Sequence, residues 1–258
     1  MLADLTRDDW LGALRLGHNE VPSALIMRGT RNLKTQLARY RGLLADAREL
    51  HPANGIFEDI LVGSHKGTRI AFACVYGPSM VSEVAHVFCV LGVSRIILTG
   101  CCGALAPGIS AGDIVVPEAA FPGDGASRYY GADGSAVVEA DPELRRSAVN
   151  LLERGESAVH KGHIYTTCAL CAESAADIEA WAAQGYLAVD METATTYAVA
   201  RHFGVPAVGV LFAFDCLAGG ESVALTDDEK AEQRRQGEAL VMTTALHLAA
   251  TGGSEELR

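Results

Sequence analysis

The sequence predicts an α/β fold: a single-domain, three-layer architecture in which a mixed, mainly parallel central sheet is flanked by helices. Three observations carry this. Short apolar runs rich in branched residues recur along the chain, helical patterns lie between them, and 27 glycines supply the turns that such an alternation needs. A chain of 258 residues can bury one large core, and no linker, repeat or low-complexity tract divides it. Residues 1–258 therefore read as one domain.

Strands are expected at residues 23–27, 69–76, 95–99, 113–116, 186–189 and 207–214, each a short apolar run. The first helix is expected over 30–50, with Leu33, Leu37, Tyr40 and Leu44 on one face. A second is expected over 79–91 and a third over 192–203, closed by Gly92 and Gly204. The last helix has a capping-box start, Thr226 followed by Asp227, Asp228 and Glu229, and is expected to run to about Ala250. The tail over 252–258 is polar and expected to fray. Strands alternating with helices place helices on both faces of a largely parallel sheet.

A net charge of −11, with no stripe of lysine or arginine, argues against a nucleic-acid partner, whose affinity comes chiefly from cations placed on phosphates. The longest apolar stretch, over 207–214, is too short to cross a bilayer, and the N-terminal residues are acidic and polar; a cytoplasmic location is expected. Five of the seven cysteines (Cys74, Cys89, Cys101, Cys102 and Cys216) fall in apolar segments, where free thiols behave as small hydrophobes. Cys168 and Cys171 form one C-x-x-C without a second pair to complete a zinc set, so neither metal nor cofactor is expected.

In parallel α/β sheets ligands bind beyond the carboxyl ends of the strands, which directs attention to four turns. Thr99, Gly100 and Cys101 open a turn through Ala104 whose glycines let backbone approach a ligand, or simply make a tight turn around a cysteine pair. Asp190, Met191 and Glu192 stand where a strand gives way to a helix. Their carboxylates could be helix caps; alternatively one accepts both hydroxyls of a sugar while the methionine offers a soft apolar face. Asp215 ends the most apolar strand, either capping the next turn or serving as a partly buried acid. The Gly123–Ser127 run reads most simply as a loop.

Taken together these segments resemble the nucleoside phosphorylase superfamily, which includes purine nucleoside and uridine phosphorylases and related nucleosidases. The likeness runs from residue 23 to the C-terminal helix. Tyr76-Gly77-Pro78-Ser79-Met80 resembles the turn before the family's first long helix, and Thr99 to Ala104 with Gly112 to Val116 resembles the turn and strand lining its sugar and anion site. Asp124 to Ser127 is similar to a D-G-A-S segment of uridine phosphorylases, Gly162 to Glu173 to the base-pocket segment, and Val189 to Ala194 to the V-E-M-E-x-A motif.

The resemblance implies cleavage or synthesis of the N-glycosidic bond of a nucleoside. It places Glu192 on the ribose hydroxyls, Met191 beneath the sugar, Asp215 as the acid on a purine N7, and Thr167 and Leu170 at the base. Leu170 stands where a stacking phenylalanine is expected, and the glutamine and arginine that read uracil have no counterpart between Cys168 and Ala175. A purine-like base follows. For phosphate, Leu98 and Cys101 replace the family's arginine and serine or threonine, and the G-D-P-x-R loop gives way to Arg28-Gly29-Thr30-Arg31-Asn32. Arg28, Gly29 and Arg31 are the phosphate-binding candidates; His18 is a lesser candidate for reaching a neighbouring subunit's sugar. The nucleosidases' water-activating glutamate is absent too. Phosphorolysis ranks first, hydrolysis by water second and a catalytically inactive nucleoside-binding protein third. The expected partners are a nucleoside and phosphate, and the expected assembly is a homodimer or a ring of dimers.

Overall fold

The structure, a computed structural model, describes residues 1–50, 55, 57–155, 157–220 and 229–251. In chain order the helices are α1 (Arg7–Leu14), α2 (Leu33–Arg41), α3 (Gly77–Leu91), α4 (Pro142–Leu152), α5 (Ala175–Ala183), α6 (Thr193–Phe203) and α7 (Glu229–Ala250). The strands are β1 (Ala24–Gly29), β2 (Ala45–Glu49), β3 (Ile60–His65), β4 (Thr68–Val75), β5 (Arg95–Ala104), β6 (Ile114–Pro122), β7 (Val138–Glu139), β8 (Val159–Thr166), β9 (Ala188–Asp190) and β10 (Ala207–Cys216).

All ten strands belong to one sheet. Parallel ladders join β1 to β4 and β5, β10 to β5, β6 to β8 and β8 to β9. Antiparallel pairing joins β2 to β3, β3 to β4, β5 to β9, β6 to β7 and β10 to β6. Because β10 pairs with both β5 and β6, the path β5-β10-β6-β8-β9 returns to β5 and closes a ring, with β1, β4, β3 and β2 as an open wing. Closure leaves these five strands without a free edge at the heart of the molecule.

Side chains of β1 and of the first half of β5 alternate between two cores, as strand geometry requires. Leu25, Met27, Ile96 and Leu98 enter one core together with residues of α1, α3 and α6. Ala24, Ile26 and Ile97 enter the other with residues of α2, α4 and α7. The three layers expected from the strand–helix alternation are therefore present.

The expected helices over 79–91 and 192–203 appear as α3 and α6, each ended by a left-handed glycine, Gly92 at φ 94° and Gly204 at φ 67°. The expected helix over 30–50 is corrected: α2 stops at Arg41, and residues 45–49 form β2. Their Ala-Asp-Ala-Arg-Glu sequence favours helix locally, but pairing of Arg48 with Val62 and Glu49 with Leu61 overrides that preference. The proposed cap at Thr226 to Asp228 and the tail over 252–258 lie outside the described residues. All seven cysteines are free thiols; Cys101, expected in an apolar setting, is exposed. No helix among the described residues is long and apolar enough to cross a membrane.

Helix α7 docks where two glycines meet. A Cβ on Gly237 would lie 2.5 Å from the Gly112 carbonyl oxygen, and one on Gly112, at φ +88°, would lie 2.4 Å from that of Gln233. In an open helix Gly→Ala stabilises by about 1 kcal/mol. Here overlap with rigid backbone costs about 1–3 kcal/mol and reverses the sign. Gly237→Ala should therefore unfold at lower denaturant concentration than the wild type. A variant of equal or greater stability would mean that α7 is not seated this closely.

Candidate active site

The candidate residues converge because register brings their strands together. Thr166 pairs with Asp190, Gly103 pairs with Val189 on one side and with Asp215 on the other, and Arg28 pairs with Thr99. A register shift between Ala213 and Asp215 turns the end of β10 beside Gly103. A Cβ on Gly103 would stand 2.6 Å from Leu217 Cδ1 and 3.3 Å from Asp215 Oδ1, so glycine lets both side chains, the Asp215 residue only 5% exposed, lie against β5.

Asp190 organises the corner between β9 and α6. Its Oδ1 accepts from Thr166 Oγ1 at 2.7 Å, and its Oδ2 accepts from Glu192 N at 3.2 Å, Thr193 N at 2.8 Å and Thr193 Oγ1 at 2.5 Å. Protein donors thus occupy both oxygens. Thr167 extends this support by donating its N–H to the Asp190 carbonyl at 2.9 Å.

Glu192 extends from the same corner toward β1 and the opening of α3. Its Oε1 accepts the Gly77 N–H at 2.7 Å, and its Oε2 lies so close to Gly29 that a Cβ there would stand 2.8 Å away. Glycine at position 29 is what admits the carboxylate. Met191 accompanies it, its methyl 3.9 Å from where a Gly77 Cβ would be. Burial, then the neighbouring Asp190 charge, push the Glu192 carboxyl up to about 8, against the pull of the Gly77 and Met191 N–H groups and of Arg28.

The two candidate arginines diverge. Arg28 is only 3% exposed and donates from Nη2 to Glu238 Oε1 at 2.6 Å, with its guanidinium over the Phe212 ring at 5.5 Å. Its Nε and Nη1 are buried without a partner, and its charge acts on both Glu192 and Cys101. Glu238 also receives Gln36 Nε2 at 2.7 Å and an ion pair from Arg39. Arg31 is exposed, donating from Nε to the Tyr76 hydroxyl at 2.8 Å, within electrostatic reach of Cys101 and Cys171.

Other expected residues are placed differently. Thr99 is fully buried and donates its hydroxyl to the Met27 carbonyl at 3.0 Å, so its side chain fastens β5 to β1. Gly100 is buried behind Gly29, whereas Cys101 is exposed. Leu170 is half-buried on a short 3-10 turn. The 123–127 run is a loop held by Asp124, which accepts from Ala126 N, Ser127 N and Ser127 Oγ. His18 is exposed, 3.9 Å from Asp8. An open cleft of about 370 Å³ lined by Asp141, Arg201 and Pro206 contains none of the candidate residues.

Sequence reasoning missed Glu238, Gln36 and Arg39, which reach Arg28 only through the tertiary fold. It also assigned no role to Glu173. Burial, then Asp215 and Asp177, push that carboxyl up to about 7, and its Oε1 is buried without a hydrogen-bond partner.

The sequence model of the phosphorylase superfamily matches residues 31–247. The chain belongs to the phosphorylase superfamily. It is 31% identical over 196 residues to a DeoD-type purine nucleoside phosphorylase of Caldanaerobacter subterraneus subsp. tengcongensis, covering 73% of this chain and 81% of the relative. It is 30% identical over 200 residues to a guanosine phosphorylase of Halorubrum lacusprofundi, covering 74% and 80%. The fold matches that of uridine phosphorylase from Vibrio fischeri ES114 with a TM-score of 0.78 at 21% identity, over 91% of this chain and 94% of the other. Arg28 and Gly29 precede the matched segment, so their place beside Glu192 rests on geometry alone.

The raised Glu192 carboxyl has a consequence for stability. Its folded-state value lies above the ordinary 4.5, so the folded protein binds more protons than the unfolded chain between about 4.5 and 8. The associated stability is fully present below that window and is lost as pH rises through it. Glu192→Gln removes the ionising group, so its melting temperature relative to wild type should be higher at pH 8 than at pH 5. A difference that is constant or reversed would show that this carboxylate is not held against desolvation.

Proposed function

We propose that the protein cleaves the N-glycosidic bond of purine-like nucleosides with phosphate as acceptor. The observation that carries this reading is that Glu192, its Oε2 lodged against Gly29 with Met191 alongside, and Asp215, placed by β10 next to Gly103, both act electrostatically on Cys101 of β5. Curated relatives named as purine nucleoside and guanosine phosphorylases support it.

Departure of the base leaves positive charge on the sugar, so the site must stabilise that charge and neutralise the leaving base. Glu192 accepts the ribose hydroxyls, and its ionised form, which gains population as pH rises toward 8, adds negative potential beneath the forming cation, with Met191 packed against the sugar. Asp190 contributes by fixing the corner that aims Glu192. Asp215 gives a proton to N7 as the C1′–N9 electron pair moves into the purine, an effect worth roughly 10²- to 10⁴-fold. A phosphate oxygen then bonds to C1′, giving free base and sugar 1-phosphate. Arg28, through an N–H of its unpartnered Nε or Nη1, is the buried contact for that phosphate. Arg31 is an exposed cation near the same turn, and backbone amides around Gly100 are further donors.

One observation favours a second reading, hydrolysis: Glu238 compensates the Arg28 charge, and Leu98 is fully buried in apolar surroundings. Product analysis decides between them. Inosine and adenosine should release base faster with phosphate than without, yielding sugar 1-phosphate, and uridine should be the poorer substrate. Glu192→Gln should reduce base release at least 100-fold while remaining folded. Free ribose at a rate indifferent to phosphate would make water the acceptor; binding without turnover would leave a nucleoside-binding protein.

A further inference from the structure

Glu173 carries a carboxylate that the fold does not use. It follows the 3-10 turn Leu170–Ala172 and precedes α5, whose N-terminus is already capped: Ser174 Oγ accepts the Asp177 N–H at 3.2 Å and Asp177 Oδ2 accepts the Ser174 N–H at 2.9 Å. Among the described residues, Glu173 Oε1 is the one carboxylate oxygen that is buried without a hydrogen-bond partner. A native protein rarely leaves such an atom unpaired without a ligand to meet it or a function that needs it.

Its surroundings place it at the base end of the site. Helix α5 packs against the turn Leu217–Gly219 that follows Asp215. The charged groups that act on Glu173 are Asp215 from β10 and Asp177 from α5, both acids. Burial and these two neighbouring acids make Glu173 hold its proton more readily than an exposed glutamate does.

We propose that Glu173 is a specificity-determining residue of the base subsite, contacting the substituent at purine position 6 beside the N7 held by Asp215. The proposal rests on the nucleoside-cleaving reading above. On a purine, the group next to N7 is either a carbonyl oxygen, which needs a donor, or an amino group, which needs an acceptor. Protonated Glu173 satisfies the first and ionised Glu173 the second. With its carboxyl pushed up to about 7 by burial and by Asp215, both forms are accessible near neutrality. The site then discriminates between 6-oxo and 6-amino purines according to pH.

The test is the ratio of kcat/KM for adenosine to that for inosine between pH 6 and pH 8. Titration of Glu192 affects both substrates and cancels from the ratio. In the wild type the ratio should rise with pH by about tenfold, the worth of one buried hydrogen bond gained against one lost. In Glu173→Gln, whose amide both donates and accepts, the ratio should be flat. A flat wild-type ratio, or the same slope in Glu173→Gln, overturns the role of Glu173 while leaving nucleoside cleavage intact. Should the variant fail to fold, the wild-type profile alone decides. No base release from either nucleoside overturns the parent reading, and this inference with it.

Discussion

The site depends on one buried carboxylate whose two oxygens are both met by protein donors. Asp190 sits where β9 ends and α6 begins, accepting from two backbone amides and two threonine hydroxyls. Burying a carboxylate is costly unless donors replace water, and here four do. Thr166 Oγ1 in turn accepts the Ala194 N–H at 3.0 Å, so β8, β9 and the first turn of α6 are tied at one point. With the corner fixed, Glu192 has little freedom in where its side chain goes. It reaches back across the sheet to the Gly77 amide, linking the opening of α6 to that of α3. The same proximity makes Asp190 a like charge beside Glu192 and helps keep the second carboxyl at an elevated value.

The ring of strands explains why residues from five elements meet. In an open parallel sheet the strand ends fan out, and a ligand crevice forms where the order reverses. Here β5 pairs with β1 over Arg95–Thr99, with β9 at Gly103 and Ala104 and with β10 along its length, so it is the strand that Arg28, the β9–α6 corner and Asp215 have in common. The glycines at 100 and 103 are the price of that crowding. Gly100 lies against the Gly29 backbone, and Gly103 against Leu217 and Asp215.

Where a feature was legible in the sequence, its signal was local. Helix α3 carried its own stop at Gly92, α6 carried Gly204, and the apolar run of β10 could only be a buried strand ending in an acid. The corner from Val189 to Ala194 was readable because strand end, carboxylates and helix start are adjacent in the chain. Strand β2 was not, since Ala-Asp-Ala-Arg-Glu becomes extended only by pairing with β3. Strand β8 escaped notice because it is mostly half-buried or exposed, with polar residues where an apolar run would have marked it. Thr99 was found as a site position but its hydroxyl serves the sheet, a distinction that residue type cannot make. Glu173 lies in an irregular segment whose burial comes from contacts distant in sequence.

Arg28 shows the same limit at its sharpest, because its meaning is set by Glu238, 210 residues away. Read alone, an arginine beyond a strand near glycines is a cation awaiting an anion. In the fold it lies between two acids, with Glu238 bonded behind it and Glu192 close enough in front to feel its charge. A buried guanidinium without a carboxylate partner would be strongly destabilising, so Glu238 is what allows Arg28 to be there. That carboxylate, shared with Arg39 and Gln36, is held below its ordinary value although burial acts to raise it. Compensation removes much of the net charge but not the directionality, since Nε and Nη1 still point where no protein acceptor meets them. What remains at this point of the fold is a buried, largely compensated guanidinium whose unmet hydrogen-bonding capacity is directional and not an open positive field.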